Sequence, residues 1–135
     1  MKHKNGFIDT NIFIEVFARK GERGLACAKF LKEATSLWTT ELVVAETEWV
    51  LRSGYQETRE RVVSCLKQIL GSDNIKIGNK KVLLEALALY ADFNIDFTDC
   101  INAAFVKYSN IAEVYSFDKH FDKFPGIKRL EPSLL

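Results

Sequence analysis

GFIDTN, at positions 6–11, is the stretch from which the architecture of this chain can be read. Its two apolar residues after the glycine suit a short strand, and Asp9 follows that strand at once. Asn11 is a suitable N-cap for an apolar helical run over residues 12–17. In open α/β folds, ligands bind at the carboxyl edge of the sheet, so Asp9 is a candidate binding residue. The alternative is that Asp9 only caps a turn.

Short apolar segments alternate with helical patterns along the whole chain. Beyond the first strand, extended segments are predicted at residues 36–40, 75–78, 113–118 and 127–130. Helices are predicted at residues 25–33, 41–52, 59–70, 80–91 and 99–108. No linker, repeat or low-complexity segment interrupts this order, which indicates a single domain over residues 1–135. The order predicts an α/β fold with a central parallel sheet and helices on both faces, a three-layer α/β/α arrangement.

The composition is that of an ordinary soluble protein, with 47% hydrophobic and 27% charged residues among 135. This length is enough for a proper hydrophobic core. The formal net charge of +1 gives no overall signal for nucleic acid, although a local basic patch can bind phosphate without changing that total. No segment approaches the length of a membrane helix, and no apolar signal-peptide core is present. We therefore expect a cytoplasmic protein without a membrane partner.

The cysteines exclude a zinc site of the usual spacing. Cys27, Cys65 and Cys100 are odd in number, lie far apart and form no Cys-x-x-Cys pair. They are predicted to be free thiols in a reducing compartment. The chain also has no glycine-rich phosphate loop, no dinucleotide-binding fingerprint and no Gly-x-Ser-x-Gly elbow.

An acid interrupts the apolar stripe of the helix predicted at residues 41–52. The stripe consists of Leu42, Val43, Trp49 and Val50. Glu46 lies three or four residues from each of them, which places it in the middle of the stripe. A carboxylate on a buried face is costly unless it is paired with a base or bound to a cation. Glu48 is predicted to point to the opposite side, into solvent.

Two further acids stand at the ends of predicted elements. Thr98 is a suitable N-cap, which places Asp99 in the first turn of the following helix, where the helix dipole favours a carboxylate. Asp118 ends a short strand and so repeats the pattern of Asp9. Asp96 is the alternative to Asp99, as a cap or as a supporting group.

Four acids can therefore converge at one edge of the predicted sheet. They are Asp9, Glu46, Asp99 and Asp118. Neighbouring carboxylates repel each other and raise each other's pKa, and a divalent cation removes that conflict. All-oxygen ligation suits Mg²⁺, with Mn²⁺ as a substitute. The chemistry that follows is attack of water on a phosphodiester, with one carboxylate orienting or deprotonating the water.

Four segments, in this order and at these separations, resemble those of the PIN-domain ribonucleases, most of all the VapC-type toxins of toxin–antitoxin pairs. They are FIDTN at 7–11, VVAETEWVL at 43–51, DFTD at 96–99 and SFDKHF at 116–121. The resemblance implies a Mg²⁺-dependent endoribonuclease whose metal site is the four acids. It also implies a VapB-like antitoxin as partner and, commonly, a toxin homodimer.

The resemblance extends to residues beside the four acids. Asn11 and Ser116 fall at positions that support the site by hydrogen bonding. His120 stands where many relatives carry Asp, outside the four, and is predicted to be a surface residue. Asp122 is a nearby acid with a weaker claim.

RNA binding is expected to depend on basic residues near the acids. Lys119 and Lys123 are the candidates, and such phosphate contacts weaken with rising salt.

Three other classes of protein are weaker fits. A haloacid-dehalogenase phosphatase needs an acid two positions after its nucleophilic Asp, where this chain has Asn11. A response-regulator receiver domain needs adjacent acids after its first strand and a late lysine at a strand end, whereas Lys119 here follows Asp118. The non-enzymatic alternative is a catalytically silent PIN-like module that binds RNA or protein, and the presence of all four acids argues against it.

Overall fold

The computed structural model describes residues 5–133, and these form two compact units. The first unit ends at Lys80 and the second begins at Lys81. None of the helices formed by residues 5–133 is long and apolar enough to span a bilayer.

The first unit is built on a three-stranded parallel sheet. Its strands are β1 (Asn5–Phe7), β2 (Ser36–Thr39) and β3 (Ile75–Ile77), with β2 in the middle. The pairing continues one residue beyond β1, because the Ile8 amide donates to the Trp38 carbonyl at 2.8 Å. The Thr39 hydroxyl donates to the Ile8 carbonyl at 2.9 Å. Asp9 therefore follows a strand end that is held firmly by its neighbour.

Four α-helices alternate with or follow these strands along the chain of the first unit. They are α1 (Thr10–Ile14), α2 (Glu22–Glu33), α3 (Glu41–Trp49) and α4 (Arg59–Leu70). Two of them run directly into π-helical turns: α1 into Glu15–Arg19 and α3 into Val50–Gly54. The Thr40 hydroxyl accepts a hydrogen bond from the Val43 amide at 3.3 Å and so caps the start of α3. The core of the unit includes Ile8, Phe13, Leu37, Val44, Leu51 and Leu66, each at most 2% exposed.

The second unit contains two helices and a two-stranded parallel sheet. Helix α5 (Lys80–Asp92) starts at the last residue of the first unit and is followed by α6 (Phe97–Tyr108). Strands β4 (Glu113–Tyr115) and β5 (Lys128–Leu130) pair in parallel, joined through a 3₁₀ turn at Lys119–Lys123. Tyr90 and Phe97 are fully buried and meet edge to face, with 5.3 Å between ring centroids.

The predicted α/β class with parallel strands and flanking helices is confirmed. The segment at 75–77 proves to be a full strand, β3, although it was predicted only as an extended link. Two predicted helix caps are wrong. Helix α1 begins at Thr10 with Asp9 as its N-cap, instead of Asn11, and α6 begins at Phe97 rather than after Thr98. In each case the backbone turns into the helix earlier than the sequence pattern indicated.

Candidate active site

Asp9 lies in the bend between β1 and α1, with its side chain exposed. Its Oδ1 accepts a hydrogen bond from the Thr10 amide at 2.8 Å. The capping role considered from the sequence is therefore real. It engages one carboxylate oxygen, and a cation or a water molecule can still be bound by the other. Capping and ligand binding are compatible at this residue.

Glu46 is exposed on α3, and its Oε1 accepts a hydrogen bond from the Thr10 hydroxyl. The predicted apolar stripe around it is wrong, because Leu42 is 80% exposed and Trp49 is 58% exposed. The buried positions of α3 are Val43, Val44, Thr47 and Glu48. The face of α3 that packs against the core is therefore not the face that carries its largest apolar residues.

Glu48, which was predicted to be solvated, is instead the buried acid of this helix. It is 2% exposed, and the Arg52 Nε lies 2.6 Å from its Oε2. Arg52 lies four residues further on, in the π-helical turn that continues α3, and pairs with the buried charge. Its burial and its ion pair therefore give Glu48 a structural role. The assignment of Glu46 to the site stays a prediction.

A cavity of about 410 Å³ in the first unit brings several predicted site residues together. Asp9, Asn11 and Glu46 all line it. Its wall also includes Glu15, Arg19 and Tyr55, none of which was singled out from the sequence. The volume is within the usual range of small-molecule pockets, about 300–1,000 Å³.

The second unit holds a compact group of two acids and a histidine. Asp99 lies in the first turn of α6, as predicted, and Asp118 caps the 3₁₀ turn by accepting from the His120 amide at 2.9 Å. The His120 Nδ1 is 3.2 Å from Asp118 Oδ1 and 3.9 Å from Asp99 Oδ2. One ligand atom from each of the three lies within 4.8 Å of the others. His120 is exposed, as predicted, but it contacts both acids.

Burial raises the pKa of Asp99, and the charges of Asp118 and Asp96 raise it further. His120 acts in the opposite direction. The two carboxylates are therefore in electrostatic conflict when no cation is bound. Two carboxylates and an imidazole suit a divalent ion, because they supply oxygen and nitrogen ligands and opposite charge. The residues present here fit a divalent metal.

Residues around this group divide into supporting and structural ones. The Ser116 hydroxyl accepts from the Asp118 amide at 2.9 Å, so Ser116 positions the loop that carries Asp118. Asp122 is paired with Arg129, whose Nε lies 3.0 Å from its Oδ1, which explains this acid without a ligand. Lys119 and Lys123 are exposed at the two ends of the 3₁₀ turn.

His120 is the residue that sequence reasoning undervalued. It follows Asp118 by two positions, at the start of a helical turn. In that geometry the Asp118 carboxylate caps the turn and the His120 ring folds back beside it. The available signal was an Asp–x–His sequence soon after a strand, although β4 ends at Tyr115 and Asp118 does not end a strand as predicted.

The raised pKa of Asp99 predicts that Asp99→Asn stabilises the metal-free protein at neutral pH. A carboxylate whose pKa is higher in the folded state destabilises that state above its unfolded pKa, 3.8, and the penalty grows as pH rises through the folded value. We expect the substitution to raise Tm at pH 7 and to have no such effect below pH 3.8. Thermal unfolding of both proteins in chelator, across this pH range, measures the difference. An equal Tm for the two proteins at pH 7 would contradict the prediction.

Comparisons with known proteins identify the family. The PIN domain family matches residues 6–127. A VapC ribonuclease of Aquifex aeolicus (strain VF5) is 27% identical over 129 residues, which are 93% of this chain and 95% of that protein. The crystal structure of VapC20 of Mycobacterium tuberculosis, a sarcin–ricin loop cleaving toxin, is 16% identical with a TM-score of 0.44 and covers 94% of this chain and 99% of its own. The family match over nearly the whole sequence confirms the predicted resemblance, and this chain belongs to the PIN-domain family.

Proposed function

We propose that this chain is a VapC-type toxin, a metal-dependent endoribonuclease that hydrolyses phosphodiester bonds in RNA. PIN nucleases generally depend on divalent metal ions, and VapC toxins act on RNA and pair with VapB antitoxins. The family match and the curated VapC relative support the assignment. The observation that carries it is the group of Asp99, Asp118 and His120, in which burial and like charge set up a site for a cation.

The proposed acidic residues are those expected from the sequence. They are Asp9 and Glu46 in the first unit and Asp99 and Asp118 in the second. Asn11 and Ser116 are proposed as supporting residues, and His120 is added to the second-unit group on the basis of its contacts. Mg²⁺ is the proposed ion, with Mn²⁺ as a substitute, because oxygen ligands predominate in this set.

Each residue has a defined task in hydrolysis. A bound divalent cation supplies Lewis acidity, which favours ionisation of water and offsets the charge of the phosphate. Carboxylates of the proposed set would hold such an ion, and one of them would orient the attacking water and accept its proton. The Thr10 hydroxyl holds Glu46 by donating to it, and Ser116 holds the backbone at Asp118. No covalent nucleophile from the protein is required.

The test is cleavage of a mixed cellular RNA pool by the purified protein. Reactions with Mg²⁺, with Mn²⁺ and with chelator are compared, and Asp9→Asn controls for contaminating nuclease. We expect fragments with either metal, no fragments in chelator and none from the Asp9→Asn variant. Failure of the folded protein, free of antitoxin, to cleave RNA with either metal would contradict the proposal. A protein that binds RNA and leaves it intact would instead be a catalytically silent binding module.

Two partners are part of the proposal. A VapB-like antitoxin would block the RNA-binding surface, and two copies of the toxin would form a homodimer. Light scattering of the purified protein, alone and with the product of the neighbouring reading frame, measures both associations. RNA cleavage that persists after a stable complex has formed would count against an antitoxin role for that product.

A further inference from the structure

A side-chain hydrogen bond links the ends of the two π-helical turns in the first unit. Arg19 closes the turn that follows α1, and Tyr55 comes directly after the turn that follows α3. The Arg19 Nε donates to the Tyr55 hydroxyl at 3.1 Å, and its Nη1 donates to Glu15 Oε2 at 3.2 Å. π-Helical turns are rare and occur frequently at functional sites. Here Tyr55 and Glu15 both accept hydrogen bonds from the Arg19 guanidinium.

This guanidinium lies on the wall of the cavity that Asp9 and Glu46 also line. Among the described residues that line the cavity, Arg19 is the one with a positive charge, beside three acids. The third acid, Glu15, is buried, is paired with Arg19 at 3.2 Å and is also approached by Arg23 at 3.7 Å. Two acids and one fixed guanidinium thus share an open cavity.

We propose that Arg19 binds a phosphate of the RNA strand and positions it beside Asp9 and Glu46. This inference rests on the proposed function, since it names how that site holds its substrate. A cavity with only acidic side chains would repel a polyanion, and a guanidinium offsets this repulsion. Arginine also matches phosphate through two parallel N–H donors. Glu15 and Tyr55 hold the side chain in place before RNA arrives, which lowers the entropy cost of binding.

The competing explanation is that Arg19 only joins the two turns. Arg23 provides the matched control, because it approaches the same Glu15 oxygen and is 77% exposed, but does not line the cavity. A purely structural role predicts similar effects of Arg19→Ala and Arg23→Ala on Tm and on RNA affinity. A phosphate-binding role predicts an effect of Arg19 on RNA affinity that Arg23 lacks.

The experiment measures binding of a fluorescent single-stranded RNA by anisotropy, in chelator and over a range of KCl concentrations. We expect Arg19→Ala to weaken binding about 5- to 20-fold and to lower the slope of log affinity against log salt by about 0.7, the value for one contact to single-stranded nucleic acid. Arg23→Ala should bind within about twofold of the natural protein. Arg19→Lys should keep the salt slope, because it keeps the charge, and lose part of the affinity.

Cleavage in Mg²⁺ is measured alongside with the same variants. Arg19→Ala is expected to raise KM more than it lowers kcat, because the contact is made to bound substrate. Equal affinity and salt slope for Arg19→Ala and Arg23→Ala would overturn the inference, while cleavage by the natural protein would leave the proposed function standing. Weaker binding by Arg19→Ala in a protein that never cleaves would support the phosphate contact and contradict the nuclease. Absence of RNA binding by the natural protein would overturn the inference as well.

Discussion

Asp118→Asn is expected to lower the rate of RNA cleavage about 10³-fold while leaving the fold intact, since a positioned acid or base contributes about 10²–10⁴. Asparagine keeps the oxygen that caps the 3₁₀ turn at His120, so the local backbone has no reason to move. What it removes is the negative charge beside Asp99 and His120. The loss of activity should therefore come with weaker binding of Mn²⁺, measured by calorimetry, and with an unchanged circular dichroism spectrum.

The matched control for this substitution is Asp122→Asn. Asp122 belongs to the same 3₁₀ turn, is more exposed than Asp99, and is paired with Arg129 instead of lying in the acidic group. Its replacement should leave cleavage within about threefold of the natural rate, because the Asp122 carboxylate is 53% exposed and Arg129 keeps Glu131 as an acidic partner. Comparable losses from both variants would mean that the turn, and not the charge of Asp118, is what activity requires.

Glu48→Ala is expected to lower the free energy of unfolding by about 3 kcal/mol, the lower end of the range for breaking a buried ion pair. The carboxylate is 2% exposed and has Arg52 at 2.6 Å, so its removal leaves a void and a half-buried guanidinium without this partner. The Arg52 side chain is 38% exposed and can reach water, which keeps the expected cost at the lower end for such pairs. Urea unfolding of the two proteins measures the change.

Glu46→Gln is the counterpart on the same helix. Its side chain is exposed, so the expected change in unfolding free energy is within about 0.5 kcal/mol. Its cleavage rate should nevertheless fall by two orders of magnitude or more, by the argument made for a positioned acid. Glu48→Ala should still cleave RNA at temperatures where it is folded. Loss of cleavage in Glu48→Ala but not in Glu46→Gln would mean that Glu48, and not Glu46, belongs to the site.

These two acids show where sequence reasoning succeeds and where it fails. Glu46 was selected because large apolar residues surround it at helical spacing, yet Leu42 and Trp49 are exposed and the core side of α3 carries Thr47 and Glu48. Helical periodicity predicts the buried face of a helix only when apolar residues occupy that face. An ion pair between residues four apart, such as Glu48 and Arg52, has the same sequence spacing whether it is buried or exposed to solvent.

The alternation of strands and helices could be predicted from the sequence because apolar periodicity and turn residues are local features of the chain. The α/β class and the helices predicted at 59–70 and 80–91 follow from such local patterns, and the structure confirms them as α4 and α5. The short strand β3 was predicted only as a link, because three residues carry too little pattern and its pairing with β2 is a tertiary event. The approach of His120 to Asp99 likewise depends on chain segments 21 residues apart and could not be read from either segment.

The buried thiols give each unit its own reporter of internal opening. Cys27 and Cys65 lie in the first unit and Cys100 in the second, and all three are buried. Burial also raises the pKa of the Cys65 thiol, which lowers its reactivity further. A thiol reagent can therefore modify these side chains only when the surrounding helices open, so labelling rates followed by mass spectrometry measure the opening free energy at three sites. The natural sequence thus allows the dynamics of each unit to be timed separately, with no probe introduced.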